Sequence, residues 1–144
     1  KAITAHQDAG MPLASLKLPA PAKKKKRNNE ESRAQRAVVN WWEVSHRNFN
    51  LPIFVLHSVP NGGFRSKITA SIMKAEGQRP GVFDLKINVA RKGYHGLWLE
   101  MKARDGVLSP DQIEFEKAMT EQGYRCEMAR TSFEAINKIT TYLT

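Results

Sequence analysis

Between Glu30 and about Phe49 the apolar residues Ala34, Ala37, Val38, Trp41 and Trp42 recur at three- and four-residue steps. That spacing predicts a helix with one buried stripe. Ile53 to Val59 is β-rich and runs into Pro60-Asn61-Gly62-Gly63, a stretch that breaks any regular element and permits positive φ. Ser66 to Glu76 reads as a short helix closed by Gly77, and Arg79-Pro80-Gly81 as a turn.

Val82 to Val89 then alternates strictly, with Phe83, Leu85, Ile87 and Val89 on one face and Val82, Asp84, Lys86 and Asn88 on the other. After a turn over Ala90 to Tyr94, a second strand is expected from His95 to Ala103, with Leu97, Leu99 and Met101 opposite Trp98, Glu100 and Lys102. The two strands should form a hairpin. Ser109-Pro110-Asp111-Gln112 carries a Ser N-cap, Pro at the first helical position and Gln closing a capping box, so a helix begins there and stops at Gly123. Tyr124 to Ala129 is a further strand, and Thr131-Ser132-Phe133-Glu134 starts a last helix ending near Leu143. The order α-β-α-β-β-α-β-α, without internal repeat, predicts an α/β domain.

Composition narrows the chemistry. The 144 residues suffice for one domain with its own core, and 23 Lys plus Arg against 14 Asp plus Glu make the net charge +9, which favours a polyanionic partner. The charge is uneven: residues 1 to 27 hold seven basic side chains and one acid, leaving 16 basic and 13 acidic residues on the remainder. Residues 1 to 27 read as a disordered basic arm ending in Lys23-Lys24-Lys25-Lys26-Arg27, and residues 28 to 144 as the folded domain. The run suits a solvated linker, a phosphate-tracking arm or a nuclear localisation signal. With neither a membrane-spanning apolar run nor the h-region of a secretory signal, a soluble intracellular protein, cytoplasmic or nuclear, is expected. The single cysteine, Cys126, excludes an internal disulfide and a Cys-rich zinc site, so any metal must be held by oxygen or imidazole.

Side chains two apart on a strand share a face, which puts Glu100 and Lys102 side by side, about 7 Å apart along the backbone. In a suitable hairpin register Asp84 joins them. Two carboxylates and an amine in one pocket are what metal-assisted phosphodiester hydrolysis needs: hard oxygen ligands for Mg²⁺ or Mn²⁺, and an ammonium to orient or deprotonate water and to neutralise developing charge. The Met101 carbonyl, between the two, is a further candidate ligand.

The ordered set Pro60-Asn61-Gly62-Gly63, Arg79-Pro80-Gly81-Val82-Phe83-Asp84-Leu85, Tyr94-His95-Gly96-Leu97, Glu100-Met101-Lys102 and Leu108-Ser109-Pro110-Asp111-Gln112 resembles the VRR-NUC family of the PD-(D/E)xK nuclease superfamily, from about Glu31 to Tyr142. The resemblance implies a restriction-endonuclease-like domain, a mixed central sheet flanked by helices, with catalytic Asp84, Glu100 and Lys102. It also implies a metal ligand on the first helix. Glu31 fits that role best, with Gln35 one turn on and Glu30 as the neighbouring alternative. Phe83 departs from the family's usual Pro; by alternation it should point away from Asp84 into the core. Small standalone members, often from phages, are expected to act as homodimers on branched DNA, including Holliday junctions. A flap or sequence-specific nuclease shares the same site, and a non-cleaving DNA-binding module is the competing reading.

Other residues divide between two readings. Gln112 has its capping-box role and could also face the active site. Asn61, Gly62 and Gly63 either let backbone approach DNA or simply turn the chain, and Arg65, Lys67, Lys74, Arg79, Arg91 and Lys92 are either phosphate contacts or ordinary surface charge. His57 and His95 read as structural, Trp41 and Trp42 as core, and Cys126 as an inert buried thiol.

Overall fold

The computed structural model describes residues 23–60 and 67–144, with side chains described from 29 and from 68 onward in those two stretches. Helix α1 (Lys23–Ser45) is followed by a 3-10 turn over His46–Phe49. A second such turn, Ile53–Val55, leads into β1 (Leu56–Ser58). Then come α2 (Lys67–Ala75), β2 (Leu85–Ile87), β3 (Leu97–Met101), α3 (Pro110–Glu121), β4 (Arg125–Ala129) and α4 (Ser132–Leu143). The element order agrees with the sequence reading, but three boundaries differ. α1 starts at Lys23, so the basic run extends the helix; the segment before β1 is mostly 3-10 turn; and the hairpin strands are shorter than their alternating patterns.

The sheet order is β1-β2-β3-β4, with β1, β2 and β3 antiparallel and β4 parallel to β3. One face packs on α1 and α4. Val38 and Trp42 of α1, Leu85 and Ile87 of β2, Leu97, Leu99 and Met101 of β3, and Ala135, Ile139 and Tyr142 of α4 form one buried cluster. Each such side chain contributes on the order of 2 kcal/mol through removal from water. The polar tips inside this layer are matched: Trp42 Nε1 donates to the Ile53 carbonyl at 2.6 Å and Tyr142 Oη to that of Val89 at 2.7 Å. Trp41 packs half-buried against the same cluster, so both tryptophans are core residues.

The opposite face carries α3. Phe115 lies 5.0 Å from the Trp98 ring and 5.1 Å from that of Phe83. Phe83 is therefore buried, as expected, but on the α3 side rather than with Leu85 and Ile87. Regular pairing begins only at Leu85, so the alternation does not reach it. The capping box of α3 forms as the sequence predicts, with Ser109 Oγ accepting from the Gln112 N–H and the Gln112 side chain accepting from the Ser109 N–H.

Gly81 ties this helix to the strand that follows the turn. Its φ is +84°, and a Cβ there would lie 2.4 Å from the Asp111 carbonyl oxygen. Only glycine permits both the conformation and the approach. The segment leading to Asp84 is thereby pressed against the first turn of α3, and the two motifs, far apart in sequence, meet.

Candidate active site

The hairpin register pairs Leu85 with Leu99 and Lys86 with Trp98, which brings Asp84 alongside Glu100. Beyond Leu85 side chains replace the ladder toward β3, while on the other side the Val59 N–H still donates to the Asp84 carbonyl. The Asp84 N–H donates to Glu100 Oε2 at 3.2 Å, and the Met101 N–H donates to Asp84 Oδ2 at 3.0 Å. Lys102 Nζ lies 2.9 Å from Glu100 Oε1 and donates to Gln112 Oε1 at 2.8 Å. The Gln112 amide also donates to Glu100 Oε1. Asp84, Glu100, Lys102 and Gln112 thus form one connected polar cluster where the sheet meets α3.

Glu31 reaches the same region from α1, where its Oε1 accepts from the Ala103 N–H at 2.9 Å. It is close enough to act electrostatically on Asp84. Gln35, one turn on, is half-buried, and its side chain has no hydrogen-bond partner among the described residues. Glu30 is exposed.

Glu100 is buried, and its pKa is pushed up to about 7, by burial first and by the neighbouring Asp84 charge second, against the opposing pull of Lys102. The Asp84 pKa is raised too, mainly by burial, with the Met101 N–H and Lys102 opposing the shift. Two desolvated, mutually repelling carboxylates are stabilised by a cation placed against them. Glu31 Oε2 accepts no hydrogen bond among the described residues, and the Asp84 carboxyl meets that of Glu100 side by side. This donor set fits a hard divalent ion. Among the described residues, however, no three His, Cys, Asp or Glu side chains stand together as a finished metal centre. Asp84 and Glu100 form the closely linked pair, while Glu31 is turned to the backbone of Ala103.

Of the residues expected to meet DNA, Asn61, Gly62, Gly63 and Arg65 lie outside the described residues, as does the side chain of Lys67. Arg79 is exposed, its Nη1 donating to the carbonyls of Lys74 at 3.1 Å and Gln78 at 3.2 Å. His57 is exposed on β1, and Cys126 is half-buried with its thiol pKa raised by burial. Lys86 stands over the Trp98 and Tyr124 rings. As the alternation predicts, it shares the face of Asp84.

A mixed sheet between helices, with an acid pair and a lysine at the start of the β2–β3 hairpin, defines a restriction-endonuclease-like α/β domain. A solved structure described as a VRR_NUC domain protein matches with a TM-score of 0.66 and 28% identity, over 78% of this chain and 87% of that one. The chain is thus related to the VRR-NUC family. No protein-family model and no curated protein matches it.

Proposed function

We propose that this protein is a divalent-metal-dependent endonuclease that hydrolyses phosphodiester bonds in branched DNA, as a homodimer of the Holliday junction resolvase type. The observation that carries this reading is the cluster itself: Asp84, Glu100 and Lys102 meet at the open end of the central β2–β3 pair, with both carboxylates held above their ordinary pKa range. Three charges gathered around a partly desolvated point are costly for a module that only binds.

Asp84 and Glu100, with Glu31 and the Met101 carbonyl, would hold Mg²⁺ or Mn²⁺. Such an ion supplies Lewis-acid polarisation of the phosphoryl group and a water of lowered pKa. Lys102 stands where it can orient the attacking water, take its proton once itself deprotonated, or offset charge gathering on the phosphate oxygens. Gln112 fixes the Lys102 ammonium and one Glu100 oxygen together, so that neither swings away when substrate arrives. A two-fold dimer would present two such sites at fixed spacing, as paired cuts across a junction need. The basic run Lys23–Arg27 at the start of α1, with the residues before it, would track phosphates; removing residues 1–27 should flatten the dependence of affinity on salt. No helix among the described residues is long and apolar enough to cross a membrane.

The test is cleavage of a labelled four-way junction beside a flap and a linear duplex of matched sequence, in Mg²⁺ and in EDTA. Paired, symmetric, metal-dependent cuts confined to the junction are expected. Cutting of every substrate would instead make it a general or flap nuclease, and binding without cutting would make it a binding module.

A further inference from the structure

We propose that Lys86 is a phosphate-binding residue, seating a backbone phosphate next to the one that is cut; this rests on the nuclease reading above. Lys86 is two residues from Asp84, a separation of about 7 Å along an extended backbone, on the face that carries Trp98 and Glu100. Its ammonium stands 4.7 Å from the Trp98 ring centroid and 5.3 Å from that of Tyr124. The two rings hold the half-buried chain in one direction, so little side-chain entropy remains to be lost on binding.

What distinguishes this lysine among the half-buried ones is the lack of an acid. Lys102 and Lys138 both pair with carboxylates, whereas Lys86 has no carboxylate partner among the described residues. Directly opposite it on β1 stands His57, exposed and on the same face. The buried Trp98 Nε1 also lacks an acceptor among the described residues. The spot therefore offers an ammonium without a matching carboxylate, with His57 next to it and the reacting acids close by. An anion with several acceptor oxygens fits it, and a nuclease substrate carries one at every nucleotide. Arg79, the loop cation expected for this task, is exposed and uses Nη1 on two carbonyls of its own loop, whereas Lys86 is held beside the acids.

The experiment measures binding of a labelled four-way junction to full-length protein across a salt series, in an Asp84→Asn background that prevents turnover. Lys86→Met keeps the aliphatic stem over the rings and removes the charge. His57→Glu gives up one exposed hydrogen bond to the Phe54 carbonyl, buries nothing, and sets a carboxylate opposite the ammonium. Each should weaken binding several-fold at low salt, and Lys86→Met should reduce the slope of log K against log salt by about 0.9, the value for one phosphate contact. Lys86→Arg should retain the parent slope. If Lys86→Met does not fold, His57→Glu decides. Parent affinity and slope in the folded variants would overturn the proposal while leaving the nuclease reading standing. DNA binding with the expected loss of slope, but with wild-type protein that never cuts, would support Lys86 and overturn the nuclease. Absence of DNA binding by the wild type would overturn both.

Discussion

Lys102 Nζ lies 2.9 Å from Glu100 Oε1, and the Gln112 side chain bonds to both partners. The ammonium is therefore placed by an acid on its own strand and by an amide from α3. Lys102→Met should lower kcat by ~10²-fold or more, about 3 kcal/mol in the barrier, as for other removed transition-state donors. Asp84→Asn should do the same. Turnover on a junction substrate under saturating Mg²⁺ checks both, and near-wild-type rates would remove these residues from the chemistry.

Gln112 works at a helix start and at the site, and two variants separate the roles. Ser109→Ala removes the cap hydroxyl and should cost ~1 kcal/mol of stability with little change in kcat. Gln112→Ala removes the capping-box partner together with its bonds to Glu100 and Lys102. It should show a similar stability loss and a fall in kcat of ~10-fold or more, on the scale of a hydrogen bond to a charged group. Equal kinetics for the two variants would confine Gln112 to the cap.

The Glu100 carboxyl, at about 7 in the folded protein, lies above its ordinary value of 4.5. The native state therefore binds more protons than the unfolded chain between those values, and its stability falls as pH rises. This contribution is fully present below pH 4.5 and is lost as pH passes through about 7. The raised Asp84 pKa acts in the same sense. Metal-free thermal melts should show the wild type losing stability from pH 5 to 8 relative to Glu100→Gln. Added Mg²⁺ should raise the wild-type Tm more at pH 8 than at pH 5.5. Parallel pH profiles of wild type and variant would contradict the raised pKa.

Gly81→Ala should be damaging in spite of its small size. The left-handed backbone costs a non-glycine residue about 1–2 kcal/mol, and the new methyl meets the Asp111 backbone as well. A drop in Tm of several degrees is expected, with a larger loss of activity than the stability change explains, because the same contact positions Asp84. Retention of wild-type melting would show that the loop can move away from α3 without cost.

Local rules made much of the fold legible. The 3.6-residue stripe of α1, the alternation around Leu85 and Leu99 and the Ser109 and Thr131 caps depend on neighbours along the chain, and the structure bears them out. The boundaries that differ lie where local propensity is not decisive. The helix continues back through Lys23–Arg27 with no apolar stripe to announce it, and the ladder ends at Leu85 because Asp84 and Glu100 replace backbone pairing with side-chain bonds.

What the sequence by itself determined was the set of elements and the shared face of Glu100 and Lys102, because side-chain direction along a strand follows from a period of two. Tertiary structure decided the rest. The register placed Asp84 on Glu100, the close approach at Gly81 brought α3 within reach, and only then could Gln112 bridge Lys102 and Glu100. The packing of α3 also moved Phe83 off its expected face, and the Trp98 and Tyr124 rings gave Lys86 its orientation. These relationships join residues distant in the chain, and spacing along one chain carries no information about which distant surfaces will pack.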